Sequence, residues 1–425
     1  MTTYVTENPS QDPSVNPAHD IVDVQTIDCC IVGGGPAGAV LALLLARQGI
    51  PVTLLEAHKD FDRDFRGDTI HPSVMQIIEE LGLSDRLLQL PHAKMRQIKV
   101  KTPEDTVTLA DFSHLKTPYP YITMLPQVKF LEFITQEAQK YPHFQLVMGA
   151  NVQELITENG VTQGVRYRGG GGWHEVRAIL TVGADGRHSR LRQLGNFESV
   201  ETSPPMDILW FRLPRNPEEF EGGMGRFAPG HIVAMLDRGD EWQIAYVIPK
   251  GGYQKLRAAG LEELKKSVVE VVPELSDAYG GLRQRIENLQ DWSQIAFLSV
   301  ESSRVKRWYR PGLLLIGDAA HIMSPVGGVG INYAIQDAVV TANVLSKPLK
   351  NRHIQLSDLA KVQRQRELPT RIIQAFQTFI QKQIFAPILG SNRIFKPPAL
   401  LRLPILRDLP ARLIALGVFP VHVEI

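Results

Sequence analysis

The chain has 425 residues, 44% of them hydrophobic and 21% charged, with a formal net charge of +1 at pH 7. That length suits two or more domains with sizeable cores, and the near-neutral balance argues against a partner recognised by bulk charge, nucleic acid above all. The only cysteines are the adjacent pair Cys29-Cys30, so neither a disulfide framework nor a metal site is expected.

Residues 1–27 are rich in Thr, Asn, Pro, Ser and Asp and lack the apolar core of a signal peptide, which reads as a disordered leader. No uninterrupted apolar run of about eighteen residues occurs. The expected setting is cytoplasmic, with membrane association left open. From Asp28 an apolar strand runs into Gly33-Gly34-Gly35-Pro36-Ala37-Gly38 and then into a helix ending at Arg47. Gly33, Gly35 and Gly38 have the spacing of a dinucleotide cradle. The first allows the tight turn, the second admits a pyrophosphate against backbone, and the third lets helix pack on strand. The unpaired N–H groups and dipole of the helix start favour an anion without any basic side chain. A second strand, Val52 to Leu55, ends in Glu56, about twenty residues past the glycines, where an acid holds a ribose diol. The loop that follows carries Arg66, within reach of the pyrophosphate if the loop folds back. His71-Pro72 then opens a helix to about Leu81.

Alternation from Ile98 to Leu109 around Pro103-Glu104-Asp105 predicts a hairpin belonging to a second sheet. A helix is expected over Val128 to Lys140, followed by strands at Gln145 to Met148, Val152 to Ile156, Val161 to Tyr167 and His174 to Leu180. Gly169-Gly170-Gly171-Gly172 joins the last two as a hairpin turn. Thr181 to Gly186 leads into a basic helix, Arg187 to Leu194, and Asp185 is either its N-cap or a carboxylate facing a cofactor. Between Pro204 and Phe297 the strands Ile208 to Leu213, Ile232 to Leu236 and Trp242 to Ile248, with a helix from Leu261 to Val272, suggest an antiparallel sheet covering a substrate. Gly312 to Ile316 is a buried strand that closes on Gly317-Asp318, and Pro325 to Asn332 opens a second glycine-rich helix start reaching Leu345. Phosphates need one such start. The other suits a different electron-rich group, and the polar edge of an isoalloxazine fits. His321 reads as a satisfied loop histidine. Beyond Lys347 a helix is expected over Ala360 to Gln383, and after it come short apolar pieces broken by prolines and rich in Lys and Arg. Two readings stand for this tail. One is a cap or dimer contact; the other is peripheral membrane contact through Leu400, Leu401, Leu403, Ile405, Leu406, Leu413 and Leu416.

Gly33 to Gly38 with Glu56, Gly183-Ala184-Asp185-Gly186, and Gly317-Asp318 with Pro325 to Asn332 resemble, in order and spacing, the flavin-dependent aromatic hydroxylases typified by para-hydroxybenzoate hydroxylase. The resemblance covers about Asp28 to Leu345. It implies an α/β fold: a Rossmann-like FAD-binding domain (28–97, 120–203 and 298–346), an inserted antiparallel β-sheet substrate domain (98–119 and 204–297), and a C-terminal helical tail (347–425). It implies FAD, with Gly33, Gly35, Pro36, Ala37 and Gly38 at the pyrophosphate and Glu56 on the ribose. Arg66 and Gln127 would contact the phosphates and ribityl region, and Val152 would border the adenine. Asp318 would hold the ribityl chain, while Pro325, Gly328, Gly330, Ile331 and Asn332 would bring backbone to the flavin ring. Asp185 matches a motif tied to both FAD and NAD(P)H. The implied reaction takes hydride from NADH or NADPH, captures molecular oxygen as a flavin 4a-hydroperoxide, and hydroxylates an aromatic or lipophilic small molecule. Substrate residues do not carry over; Trp210, Phe211 and Tyr246 are candidates for stacking on a flat ring. No catalytic base is identified, and monomer and homodimer are both open. The rivals are a polyprenyl reductase, a non-catalytic flavin redox sensor, and a flavin halogenase, whose W-x-W-x-I-P signature is matched at Ile248-Pro249 but not at Ile244 and Tyr246.

Overall fold

The Ile21–Val32 strand lies inside an eight-stranded sheet, with Val52–Glu56 and then Phe144–Met148 parallel to it on one side and Gly172–Gly183 and then Leu313–Leu315 on the other. The computed structural model describes residues 20–62, 67–102, 106–272, 285–390 and 404–424. Parallel strands covered by helices on their faces read as continuous apolar runs, and Cys29, Cys30 and Ile31 are fully buried. The Pro36–Arg47 helix is buried from Ala37 to Ala46 because the helices Gly330–Lys350 and Gln127–Ala138 pack against it. One expectation needs correcting: the first strand begins at Ile21, not after residue 27. Ile21 to Ile27 pair in parallel with Trp173 to Ala178, so long-range backbone pairing orders a stretch whose Val22 and Val24 side chains are 58% and 59% exposed.

A seven-stranded sheet runs in the order Ala296–Leu298, Met206–Pro214, Glu241–Pro249, His231–Asp237, Gly223–Ala228, Gln97–Lys101, Thr106–Asp111. Short connections make its neighbours antiparallel, except where Gln97–Lys101 joins Gly223–Ala228 in parallel. Side chains alternate between its faces. Leu209, Phe211, Leu213, Trp242, Ile244 and Tyr246 pack with Leu264 and Val268 of the Leu261–Val271 helix. Met206, Ile208, Trp210, Ala245 and Val247 turn the other way, towards Val326, Phe385 and Ile388.

The described end of the tail packs on the fold. Ala411 and Ala415 of the Pro404–Leu416 helix are fully buried among Met95, Phe112, Ile122 and Met124, and Leu413 and Leu416 are partly buried in the same region. Past it, the Glu80 carboxylate accepts hydrogen bonds from the His422 ring at 2.6 Å and the Val423 N–H at 2.8 Å. Two of the side chains considered for membrane contact therefore pack on protein, while Leu400, Leu401, Leu403 and the side chains of Ile405 and Leu406 lie outside the described residues. No helix among the described residues is long and apolar enough to cross a membrane.

The second sheet is anchored by one carboxylate. Glu219 accepts from Arg285 at 2.7 and 3.0 Å and from the indole N–H of fully buried Trp242 at 2.7 Å. Burial alone would raise the Glu219 carboxyl, but these donors outweigh it and hold it below its ordinary range. Glu219→Ala, which strands the buried guanidinium, should lower unfolding stability by about 3 kcal/mol. A depressed folded pKa contributes stability that is present above the ordinary carboxylate range and is lost as pH falls through the folded value. The gap in urea midpoint between the parent and Glu219→Gln should therefore narrow below about pH 4.

Candidate active site

Three chain segments meet at the carboxyl end of the central sheet. Gly33 has φ +106°, and a Cβ there would lie 2.4 Å from the Ala184 carbonyl oxygen; at Gly38 it would lie 1.9 Å from that of Gly33. Both glycines are dictated by backbone packing. Gly35 is different: its φ is −69° and an added Cβ would meet nothing within 4 Å. No side chain caps the helix start behind it. Open space in front of an uncapped helix start is what a pyrophosphate requires, so the cradle fits the group its spacing implies. Glu56, 8% exposed, accepts the Gly34 N–H at 2.8 Å and the His58 N–H at 2.9 Å, which places a strand-end acid on the glycine turn itself. Ala150 N–H reaches the Glu56 carbonyl at 2.8 Å, and this puts buried Val152 just past the same strand end.

Asp185 presses on the cradle through its backbone, its Cα lying 2.7 Å from where a Gly33 Cβ would stand. It is not the helix N-cap. The helix begins at Arg190 with Ser189 as its cap, and Asp185 accepts from the Ser189 hydroxyl and from Leu191 N–H at 3.0 Å, supporting the cap from outside. Burial pushes the Asp185 carboxyl up, against the pull of these hydrogen bonds. Arg192 ties this helix to the next strand end by donating to the carbonyls of Asp318 at 3.3 Å and Ala319 at 3.1 Å. A Cβ at Gly317, φ +59°, would stand 3.2 Å from Ala37 Cβ and 3.3 Å from Ala334 Cβ, so the Gly317-Asp318 turn is lodged between the two glycine-rich helix starts.

The second helix start resembles the first. Gly327 and Gly328 have φ of +82° and +63°, and the Gly330–Lys350 helix behind them, with Ile331 in its first turn, also lacks a side-chain cap. Thr69 Oγ1 and Asn332 Nδ2 both donate to the Gly328 carbonyl, at 3.0 and 3.2 Å, and Asn332 Oδ1 accepts His71 N–H at 2.9 Å. The His71 ring, fully buried, donates from Nδ1 to the Ile414 carbonyl at 2.7 Å, and burial lowers its pKa to about 4, so it is neutral near pH 7. Pro325 begins the turn, and Val326 packs under the seven-stranded sheet. Gln127 donates its N–H to Asp68 at 3.2 Å and faces a cavity of about 210 Å³ shared with Phe61, Arg212 and Arg238. The Asp68–Arg238 ion pair, 3.0 Å, links the segment before Thr69 to the end of the His231–Asp237 strand beside that cavity. Arg66 lies outside the described residues.

Of the three side chains offered for substrate stacking, Phe211 and Tyr246 belong to the core under the Leu261–Val271 helix, on the face turned away from Val326. Only Trp210, half-buried, shares the face that Val326 touches. Sequence reasoning missed Thr69 and His71, which fix the second turn, and Asp337 with Arg366, which lie behind the Gly317-Asp318 turn. A lone acid at Asp337, flanked by Ala334, Ile335, Ala338 and Val339 in a buried helix, was the available signal.

Comparison with known proteins agrees with this geometry. Residues 26–373 match the family model described as an FAD binding domain. The chain is 34% identical over 329 residues to a 6-methylpretetramide 4-monooxygenase from Streptomyces rimosus, covering 77% of each chain. Among solved structures, P. aeruginosa PqsL in complex with 2-aminobenzoylacetate superposes with a TM-score of 0.72 at 21% identity, over 86% of this chain and all of that one. The flavin-dependent brominase Bmp2 superposes with a TM-score of 0.74 at 18% identity, over 92% and 94%, which speaks to fold alone.

The contrast between the cradle glycines is testable. Gly35→Leu, at the helix N-cap, should lower the apoprotein's unfolding free energy by only about 1 kcal/mol but abolish FAD binding in a fluorescence titration, whereas Gly38→Ala should fail to fold. A Gly35→Leu protein that binds FAD like the parent would remove the pyrophosphate from this position.

Proposed function

Because the chain belongs to the FAD-binding-domain family that spans residues 26–373, we propose that its site hydroxylates a lipophilic phenol larger than a single ring, of a polyketide-like kind. The protein is an FAD-dependent monooxygenase that consumes NAD(P)H and molecular oxygen and acts on an aromatic substrate. The observation that carries the finer reading is the apolar face beside the second glycine turn, where Ile208, half-buried Trp210, Ile232, Ala245 and Val247 lie on one side of the sheet with Val326, Phe385 and Ile388 packed against them. A flat apolar ring buried there gains by leaving water, and a charged one loses. The Streptomyces rimosus relative, named for a 6-methylpretetramide substrate, is consistent with that preference.

Bound FAD supplies hydride acceptance from NAD(P)H and oxygen activation, one oxygen atom going to the ring and the other leaving as water. The protein's part is binding, orientation and dryness. Gly35 and the first turn of the Pro36–Arg47 helix would hold the pyrophosphate, with Glu56 on the ribose and Asp318 on the ribityl chain. The N–H groups and dipole of the Gly330–Lys350 helix start would face the polar edge of the ring system, where negative charge gathers on reduction. The apolar sheet face then keeps water from the oxygen-transfer step.

A panel of one-ring, two-ring and multi-ring phenols, read by NADH or NADPH loss together with product gaining one oxygen atom, tests the reading. Multi-ring phenols should stimulate coupled turnover most, and Trp210→Ala should raise their KM about tenfold with FAD still bound. Preference for a small carboxylated phenol, or reductant loss without hydroxylated product for every phenol, would overturn it.

A further inference from the structure

Behind the Asp318 turn, three ionisable side chains are sealed from water. Asp337 is 0% exposed, and His321 and Arg366 are each 1% exposed. Asp337 Oδ2 accepts the Gly317 N–H at 3.0 Å and pairs with His321 Nε2 at 2.6 Å, while Oδ1 accepts from Arg366 Nε at 2.7 Å. The three come from different segments. Asp337 lies on the Gly330–Lys350 helix, His321 on the short strand after Asp318, and Arg366 on the Leu356–Ile380 helix. Their surroundings hold them in place: the Trp308 ring lies 5.0 Å from that of His321, and the Arg366 guanidinium lies 5.3 Å over Tyr333.

Burying three such groups is costly, and well-packed apolar residues of similar volume often serve stability equally well or better. What an apolar residue cannot do is accept the Gly317 N–H. That peptide is in the left-handed region, at φ +59°, wedged between Ala37 and Ala334, and it carries Asp318 as the next residue. A fixed acceptor on its N–H sets the direction in which Asp318 leaves the turn. His321 and Arg366 in turn fix the acceptor, since each takes up one carboxylate oxygen. We propose that Asp337, oriented by His321 and Arg366, is a positioning residue for the cofactor-facing carboxylate of Asp318, and that through Arg366 the Leu356–Ile380 helix tunes retention of FAD. The proposal rests on the reading that Asp318 meets the ribityl chain.

The test uses the full-length protein, stripped of flavin and titrated with FAD by fluorescence quenching, alongside apoprotein unfolding midpoints. Glu219→Gln, in the other sheet, serves as a control for stability loss without contact to the cradle. Asp337→Asn should raise the FAD Kd about tenfold or more relative to that control, and shift the visible absorption band of whatever flavin is bound. Arg366→Lys, which keeps the charge but loses the Nε contact, should raise the Kd by a smaller factor, and it is read in the same way if Asp337→Asn does not fold. Lowered apoprotein midpoints with Kd values within twofold of the control, while Asp318→Ala weakens FAD about tenfold, would overturn the positioning role and leave Asp318 in place. An Asp318→Ala protein with parental FAD affinity would overturn the ribityl reading and the proposal together.

Discussion

Backbone pressed against backbone at the carboxyl end of the central sheet is the constraint on which the rest of this molecule depends. Gly33 against the Ala184 carbonyl and Gly38 against that of Gly33 leave no room for side chains, and Gly317, in the left-handed region, sits close to the Ala37 and Ala334 methyl groups, so the surface offered there consists of peptide groups, two helix dipoles and the acids that end three parallel strands. In open α/β sheets that end is where ligands bind. The acids are held by the same closeness that exposes them. Glu56 accepts from the turn it faces, Asp185 accepts from the Ser189 cap, and the Gly317 N–H, one residue before Asp318, is held by Asp337.

Much of this was legible because it is local. A glycine triplet at fixed spacing, an apolar run before it and an acid ending the next strand are all read within about thirty residues, and the structure assembles them with the second glycine turn on one sheet edge. What was not legible depended on partners distant in sequence. Ile21 to Ile27 look like leader until Trp173 to Ala178 lie beside them. Alternation along Met206–Pro214 says that Trp210 and Phe211 point to opposite faces, but which face looks at the cofactor follows from how the whole sheet is placed. His321 seemed a satisfied loop histidine, and it does have a partner; that the partner is a buried carboxylate shared with Arg366, 45 residues further on, no local pattern could show.

The region after the second glycine turn is as much part of the site as the cradle. Proline breaks and basic residues left it open between a cap or dimer contact and a membrane contact; the Pro404–Leu416 helix accepts the His71 ring N–H at Ile414, and His71 donates its own N–H to Asn332 on the second helix start. Arg366 reaches Asp337 on the same helix, the residue that holds the neighbouring Gly317-Asp318 turn. The second turn is thus gripped by Thr69 and by Asn332, which His71 holds in place, and the Gly317-Asp318 turn beside it is gripped by Asp337, with two C-terminal helices supplying the outer contacts. A turn with two glycines in the left-handed region has many alternatives open to it in isolation, and these contacts select one.

The two faces of the seven-stranded sheet divide the work between stability and chemistry. The face under the Leu261–Val271 helix holds the large aromatic residues and the Glu219–Arg285–Trp242 network, whose carboxylate is kept ionised by its donors. The opposite face carries Ile208, Trp210, Ile232, Ala245 and Val247 around Val326 at one end and Arg212 and Arg238 beside Asp68 and Gln127 at the other. A sheet that buried its charged network on the ligand side would present the oxygen-transfer step with fixed charges and the water they attract. Placing that network on the far face keeps the sheet beside the second glycine turn apolar, while Arg212 and Arg238 stay with Asp68 at the Gln127 end, so that a ring proposed to lie against Val326 would meet apolar side chains and the polar groups of the helix start.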